Sequence, residues 1–115
     1  APLWTNLEPR TDGTRGTVYA HQVGIEPRRR FIVQWQSMPH AQDADMSATF
    51  QVILDEETGT ASYHYGGLHS LSFDPASVAT VGVESLDGTR GSLHSFNQAG
   101  AVRSGGHVRL FLVPR

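Results

Sequence analysis

Cysteine is absent from this chain of 115 residues. Its absence excludes thiol catalysis, disulfide frameworks and thiolate zinc sites. Lysine is absent too: all nine basic residues are arginine. A GC-rich genome accounts for this, since arginine codons are GC-rich and lysine codons are not. Charge is sparse, at 17% of residues and a net −2. No clustered basic excess marks a nucleic-acid or membrane-surface binder, and neither partner is expected. No stretch approaches the ~20 apolar residues of a membrane span. Ala1-Pro2-Leu3-Trp4 does not read as a signal peptide, so the chain reads as a mature protein or an excised piece of one. Sustained helical periodicity is also missing, apart from Trp4 and Leu7, whose spacing of three allows one short helical turn.

What is present is alternation. Residues 17–24, TVYAHQVG, form a β-branched and aromatic run. Residues 31–36, FIVQWQ, place Phe31, Val33 and Trp35 on one face and Gln34 and Gln36 on the other. Pro39 is expected to end that strand, with HAQDADM as a polar loop after it. TFQVILD (49–55) repeats the pattern with Phe50, Val52 and Leu54. TASYHYG (60–66) follows with Ala61, Tyr63 and Tyr65 in phase, then a loop over 67–77. ATVGVES (79–85) aligns Val81 and Val83, SLHSFN (92–97) carries His94 in phase with Phe96, and HVRLFLV (107–113) aligns Val108, Leu110 and Leu112. Turn signals every 8–15 residues between about seven strands predict an all-β fold, an antiparallel β-sandwich with jelly-roll-like connections. The predicted structural core is Phe31, Val33, Trp35, Phe50, Val52, Leu54, Tyr63, Tyr65, Val81 and Val83. No internal repeat or linker divides residues 1–115, which read as one domain.

The order of these segments resembles the nidogen-like extracellular domain and related β modules of secreted bacterial proteins. The matching stretches are PLWTNLEP, GTVYAHQVG, RRFIVQWQSMPH, TFQVILDEETGTASYHYGG, ATVGVESLDGTRGSLHSFNQ and GGHVRL. Two departures are Ala61, where a larger aliphatic is common, and His94, where an aromatic is common. The resemblance implies a secreted or cell-surface, non-catalytic module with no catalytic residues to carry over. Members of that family usually have further strands before the PLW segment, so the chain is expected to be an excerpt of a longer secreted protein.

Several polar groups are candidates for chemistry. His40, Asp43 and Asp45 share one predicted loop and are the candidate metal ligands. They lack the glycine and the further carboxylate of a calcium loop, and zinc needs a third or fourth ligand. A His64–His69 site would need a bend at Gly66-Gly67. Asp55-Glu56-Glu57 is an acidic run in a tight turn, where such residues are ordinary. Arg28, Arg29 and Arg30 open a strand. Three adjacent arginines can grip a polyanion such as an acidic polysaccharide, or guard a sheet end against aggregation. Arg28, Arg30 and the solvent-facing His64 are the candidate binding residues. Trp4, Trp35, Tyr19, Tyr63 and Tyr65 either form a sugar-stacking platform or pack in the core. GxSxG and HExxH do not occur, and GTRG at 13–16 and 88–91 lacks the lysine and helix of a phosphate loop, fitting a turn in both places.

These observations favour a non-catalytic binding or structural accessory module of an exported bacterial protein, serving adhesion, substrate targeting or spacing of domains. No cofactor is expected. Its partners would be neighbouring domains, a surface polysaccharide or a protein, with self-association through edge strands. Two other readings stay open: a carbohydrate-binding module, and a small metal-dependent hydrolase using loop His and Asp residues.

Overall fold

A computed structural model describes residues 1–111. Seven antiparallel strands form a five-stranded and a two-stranded sheet. They are β1 (Thr17–Val23), β2 (Arg30–His40), β3 (Asp43–Asp55), β4 (Thr60–His69), β5 (Thr80–Glu84), β6 (Gly91–Phe96) and β7 (His107–Leu110). The large sheet runs β1-β2-β3-β4-β7, and the β5-β6 hairpin lies over part of one of its faces. Together they make an antiparallel sandwich. A short 3-10 helix, Pro75–Val78, leads into β5; the Asp74 carboxylate caps it by accepting from Ala76 N at 2.9 Å. Leu112 lies outside the described residues.

Pairing registers turn the sequence alternation into rows, because directly opposed residues point the same way. The inner face carries Val18–Trp35–Phe50–Tyr65, then Ala20–Val33–Val52–Tyr63–Val108, then Gln22–Phe31–Leu54–Ala61–Leu110. The covered part holds Phe50 and Tyr65 of the first row and Tyr63 of the second. Met46, Phe50 and Val81 are wholly buried there, with Leu3, Met38, Ala48, Tyr63, Tyr65, Ala76, Ala79 and Val102 around them. Burying each large apolar side chain is worth roughly 1.5–3 kcal/mol.

Three expected core positions are corrected. Phe31 and Leu54 are 42% and 49% exposed, and Val83 is likewise open. Phe31 and Leu54 have the inward phase, but the small second sheet ends before reaching their row. Val83 sits near the far end of β5, past the last covered position. Val33, Trp35 and Val52 are half-buried. Trp35 stacks on Phe50 with centroids 5.0 Å apart. It is thus a flank of the core and not a residue enclosed between the sheets.

Pro39 does not end β2. Ser37 adopts φ 51 and the register shifts there; its N–H donates to Thr49 Oγ1 at 3.0 Å. Past this bulge the neighbour changes from β1 to the N-terminal segment, and Glu8 N donates to the Pro39 carbonyl at 2.9 Å. The expected polar loop therefore shrinks to a tight hairpin between β2 and β3. Trp4 and Leu7 form isolated bridges to Thr80 and His40, not a helical turn. In β6 the inward residue is Ser95, paired with Val81, while His94 and Phe96 are exposed. A bulge next to this pair reverses the phase that simple alternation gave. The GTRG stretches are turns in both places. Asp12 accepts from Thr14 N and Oγ1, and Asp87 accepts from Thr89 N and Oγ1.

Candidate functional site

The three arginines stand opposite the three acids. The β1–β2 hairpin carries the first set and the β3–β4 turn the second, and register places them side by side. Arg30 Nε meets Asp55 Oδ2 at 2.9 Å, and Arg28 Nε meets Glu57 Oε1 at 3.4 Å. Arg29 grips Glu56 in two-pronged fashion, Nη2 to Oε1 at 2.6 Å and Nε to Oε2 at 2.7 Å. These contacts hold the Glu56 carboxyl down at about 2, chiefly by the Arg29 side-chain hydrogen bonds and then the Arg29 backbone N–H. The end of the sheet is thus charge-balanced. Arg28 and Arg30 present no free cationic cluster to a polyanion.

His40 and Asp43 turn inward as structural pins. The His40 Nδ1 accepts from Gln42 N at 3.0 Å, which leaves the proton on Nε2, 3.0 Å from Thr5 Oγ1. Thr5 in turn donates to the Val78 carbonyl at 2.8 Å. The ring edge rests on Phe73. Asp43 is buried and accepts from Ser70 Oγ at 2.6 Å and from Asp45 N at 3.0 Å. The Ser70 hydroxyl is the main cause of its lowered pKa. Asp45 alone of the three is exposed. Both ring nitrogens of His40 are engaged within the protein, so the three do not converge. Among the described residues no three His, Asp or Glu side chains gather as a metal-holding group. β4 carries a bulge at Gly66-Gly67, opposite Ala48–Phe50, yet His64 and His69 belong to no such group.

The aromatic residues disperse. Trp35, Tyr63 and Tyr65 face inward; Tyr63 and Tyr65 donate to the carbonyls of Gly82 (2.9 Å) and Pro2 (2.6 Å), and burial pushes both phenol pKa values up. Trp4 is exposed on the outside of the small sheet, and Tyr19 on the outer face of the large one.

That outer face is the feature that strand-by-strand reading missed. Register lines up Tyr19, Gln34, Gln51, His64 and His107 across all five strands. Gln51 Nε2 donates to Gln34 Oε1, and Gln34 Nε2 donates to Gln36 Oε1 at 2.6 Å. The His64 and His107 rings stack with centroids 5.9 Å apart. Ser62 Oγ lies 2.8 Å from His64 Nε2. Burial, then His107 and Arg109, lower the His64 pKa. Alternation showed that Gln34 and His64 face solvent; only the pairing of strands shows that they share a row. The result is a strip of amides and imidazoles ending in a phenol, able to donate and accept hydrogen bonds. A separate cleft of about 670 Å³ is walled by residues 68–75 and 102–104, with Asp45, His69 and Arg103 at its margins.

A family model described as NIDO related matches residues 1–107. No curated protein and no solved structure matches the chain.

Proposed function

The chain belongs to the NIDO-related family, and from that premise we propose that it is a non-catalytic accessory module of an exported bacterial protein, acting outside the cell by binding. The lysine-free composition supports a GC-rich bacterial source. The role would be adhesion, substrate targeting or spacing of neighbouring domains in a longer secreted chain. The observation that carries the binding role is the row Tyr19–Gln34–Gln51–His64–His107 on the outer face. Amides lose little on desolvation compared with charges, and Gln34 and Gln51 each keep an amide hydrogen and an oxygen lone pair beyond the bonds they make to one another and to Gln36.

A carbohydrate ligand is the favoured class. Vicinal hydroxyls match the paired donors and acceptors of the glutamines, and Tyr19 supplies an aromatic surface at the end of the row. A surface polysaccharide is therefore the expected partner, ahead of a protein. The test is titration of the domain against immobilised cell-surface polysaccharides, with the Gln34→Ala/Gln51→Ala double variant beside the parent. Binding that weakens at least tenfold in the variant supports the reading. Binding that is unchanged in the variant moves the site elsewhere, and no binding to any glycan removes the carbohydrate reading.

A further inference from the structure

The two edges of the large sheet are unlike. β7 closes one side with four residues, HVRL, and carries Arg109 and His107. β1 closes the other with seven, TVYAHQV, and every one is exposed. It contains no charged residue, no proline and no glycine. β1 pairs only with β2, so along about 23 Å of strand its outward amides and carbonyls have no strand partner among the described residues. Natural edges are usually shortened, charged or covered against pairing with another chain. β7 is both short and charged; β1 has none of these protections. In the small sheet the edge of β5 is taken by the N-terminal segment, through Trp4 with Thr80 and Ala1 with Gly82.

We propose that two copies of the domain join through β1, antiparallel to β1 of the second copy, making one continuous ten-stranded sheet. The sequence of β1 suits self-pairing about its centre. A two-fold axis at Ala20 sets the smallest side chain of the strand against itself. It then sets Tyr19 against the second copy's His21, Val18 against its Gln22 and Thr17 against its Val23. No like charges meet, and two aromatic cross-strand pairs form on the outer face, an arrangement that favours pairing. On the inner face Val18 and Ala20 extend the half-covered rows of Trp35 and Val33 toward the second copy. Pairing β1 with β7 of another copy would be head-to-tail and would grow without closing; Arg109 and the shortness of β7 disfavour it. The dimer is therefore closed, and it brings two copies of the polar outer row into line.

The chain's lack of cysteine makes the test clean. Ala20→Cys places one thiol at the axis, where opposed strands hold Cα atoms about 4.5–5.5 Å apart, within reach of a disulfide. Mild oxidation should give a covalent dimer of Ala20→Cys, while His107→Cys, on the other edge, stays monomeric. Light scattering of the parent chain should show the apparent mass doubling between micromolar and millimolar concentration. Ala20→Lys sets two ammonium groups against each other and should hold the mass at that of the monomer without shifting the melting temperature. A parent chain that stays monomeric at millimolar concentration overturns the proposal. So does cross-linking through His107→Cys in place of Ala20→Cys, or a dimer that persists in Ala20→Lys.

Discussion

The inner face of the large sheet has two ends built by the same alternation and finished differently. At one end Phe50, Met46 and Tyr65 lie beneath Val81, Leu3 and the 3-10 helix. At the other, Phe31 and Leu54 carry the same phase on the same strands and meet solvent. The comparison separates two properties that a hydrophobic pattern runs together. Phase says which way a side chain points; burial depends on what lies opposite, and here that is a hairpin too small to span the sheet.

The sharpest way to break this comparison is a matched pair of truncations. Phe50→Ala should cost about 3–5 kcal/mol, the range for a large buried aromatic. Phe31→Ala should cost below about 1 kcal/mol, as for substitutions away from the core. Urea melts of the two variants decide it: equal losses would mean that the two ends are equally covered. Trp35→Ala should fall between them, at about 2–3 kcal/mol, because only its stacked face against Phe50 is lost.

Two smaller changes probe the covered end. Tyr65→Phe removes the donor to the Pro2 carbonyl and should cost about 1 kcal/mol in the same melts. Ser95 carries the opposite expectation. Its hydroxyl is buried opposite Val81 and has no hydrogen-bond partner. Ser95→Ala removes a desolvated group and should stabilise the fold by about 1 kcal/mol; a loss of that size would mean that the hydroxyl is satisfied.

The open end responds to pH. The Glu56 carboxyl is depressed from 4.5 to about 2 in the folded protein by Arg29. Its contribution is complete above pH 4.5 and is lost as pH falls toward 2. Glu56→Gln should flatten the melting temperature over that window, by lowering it at pH 7 and leaving it little changed near pH 2. His64, lowered from 6.5 by burial, His107 and Arg109, acts at a milder pH. Its neutral form is favoured in the fold, so stability present above pH 6.5 falls as the ring is forced to protonate. His107→Gln should reduce that decline.

The strands were legible in the sequence because alternation is a local property, and Phe50, Tyr63, Tyr65 and Val81 pointed inward as their phase required. The outcome at Phe31, Leu54 and Val83 was not legible, since the extent of the opposing sheet is a tertiary fact. Pro39 misled for a related reason. A proline ends a strand paired on its N–H side, but beyond the Ser37 bulge β2 offers its carbonyl to Glu8. That displaced the start of β3 and made pins of His40 and Asp43 look like free loop ligands. The outer row needed the register of four strand pairs, which no single segment contains.

The attachment of the first few residues has a consequence for the order in which the fold can be made. Thr5 bonds Val78, and Tyr65 bonds Pro2, with sequence separations of 73 and 63. The hairpins β2–β3 and β3–β4 close over short turns and can assemble as the chain emerges. The opening residues cannot; closing long loops is slow and costs entropy that grows with their length. During synthesis they must wait until β5 is available. Until the 3-10 helix and β5 follow, the β1–β4 meander leaves Phe50 and Tyr65 without Val81 to cover them.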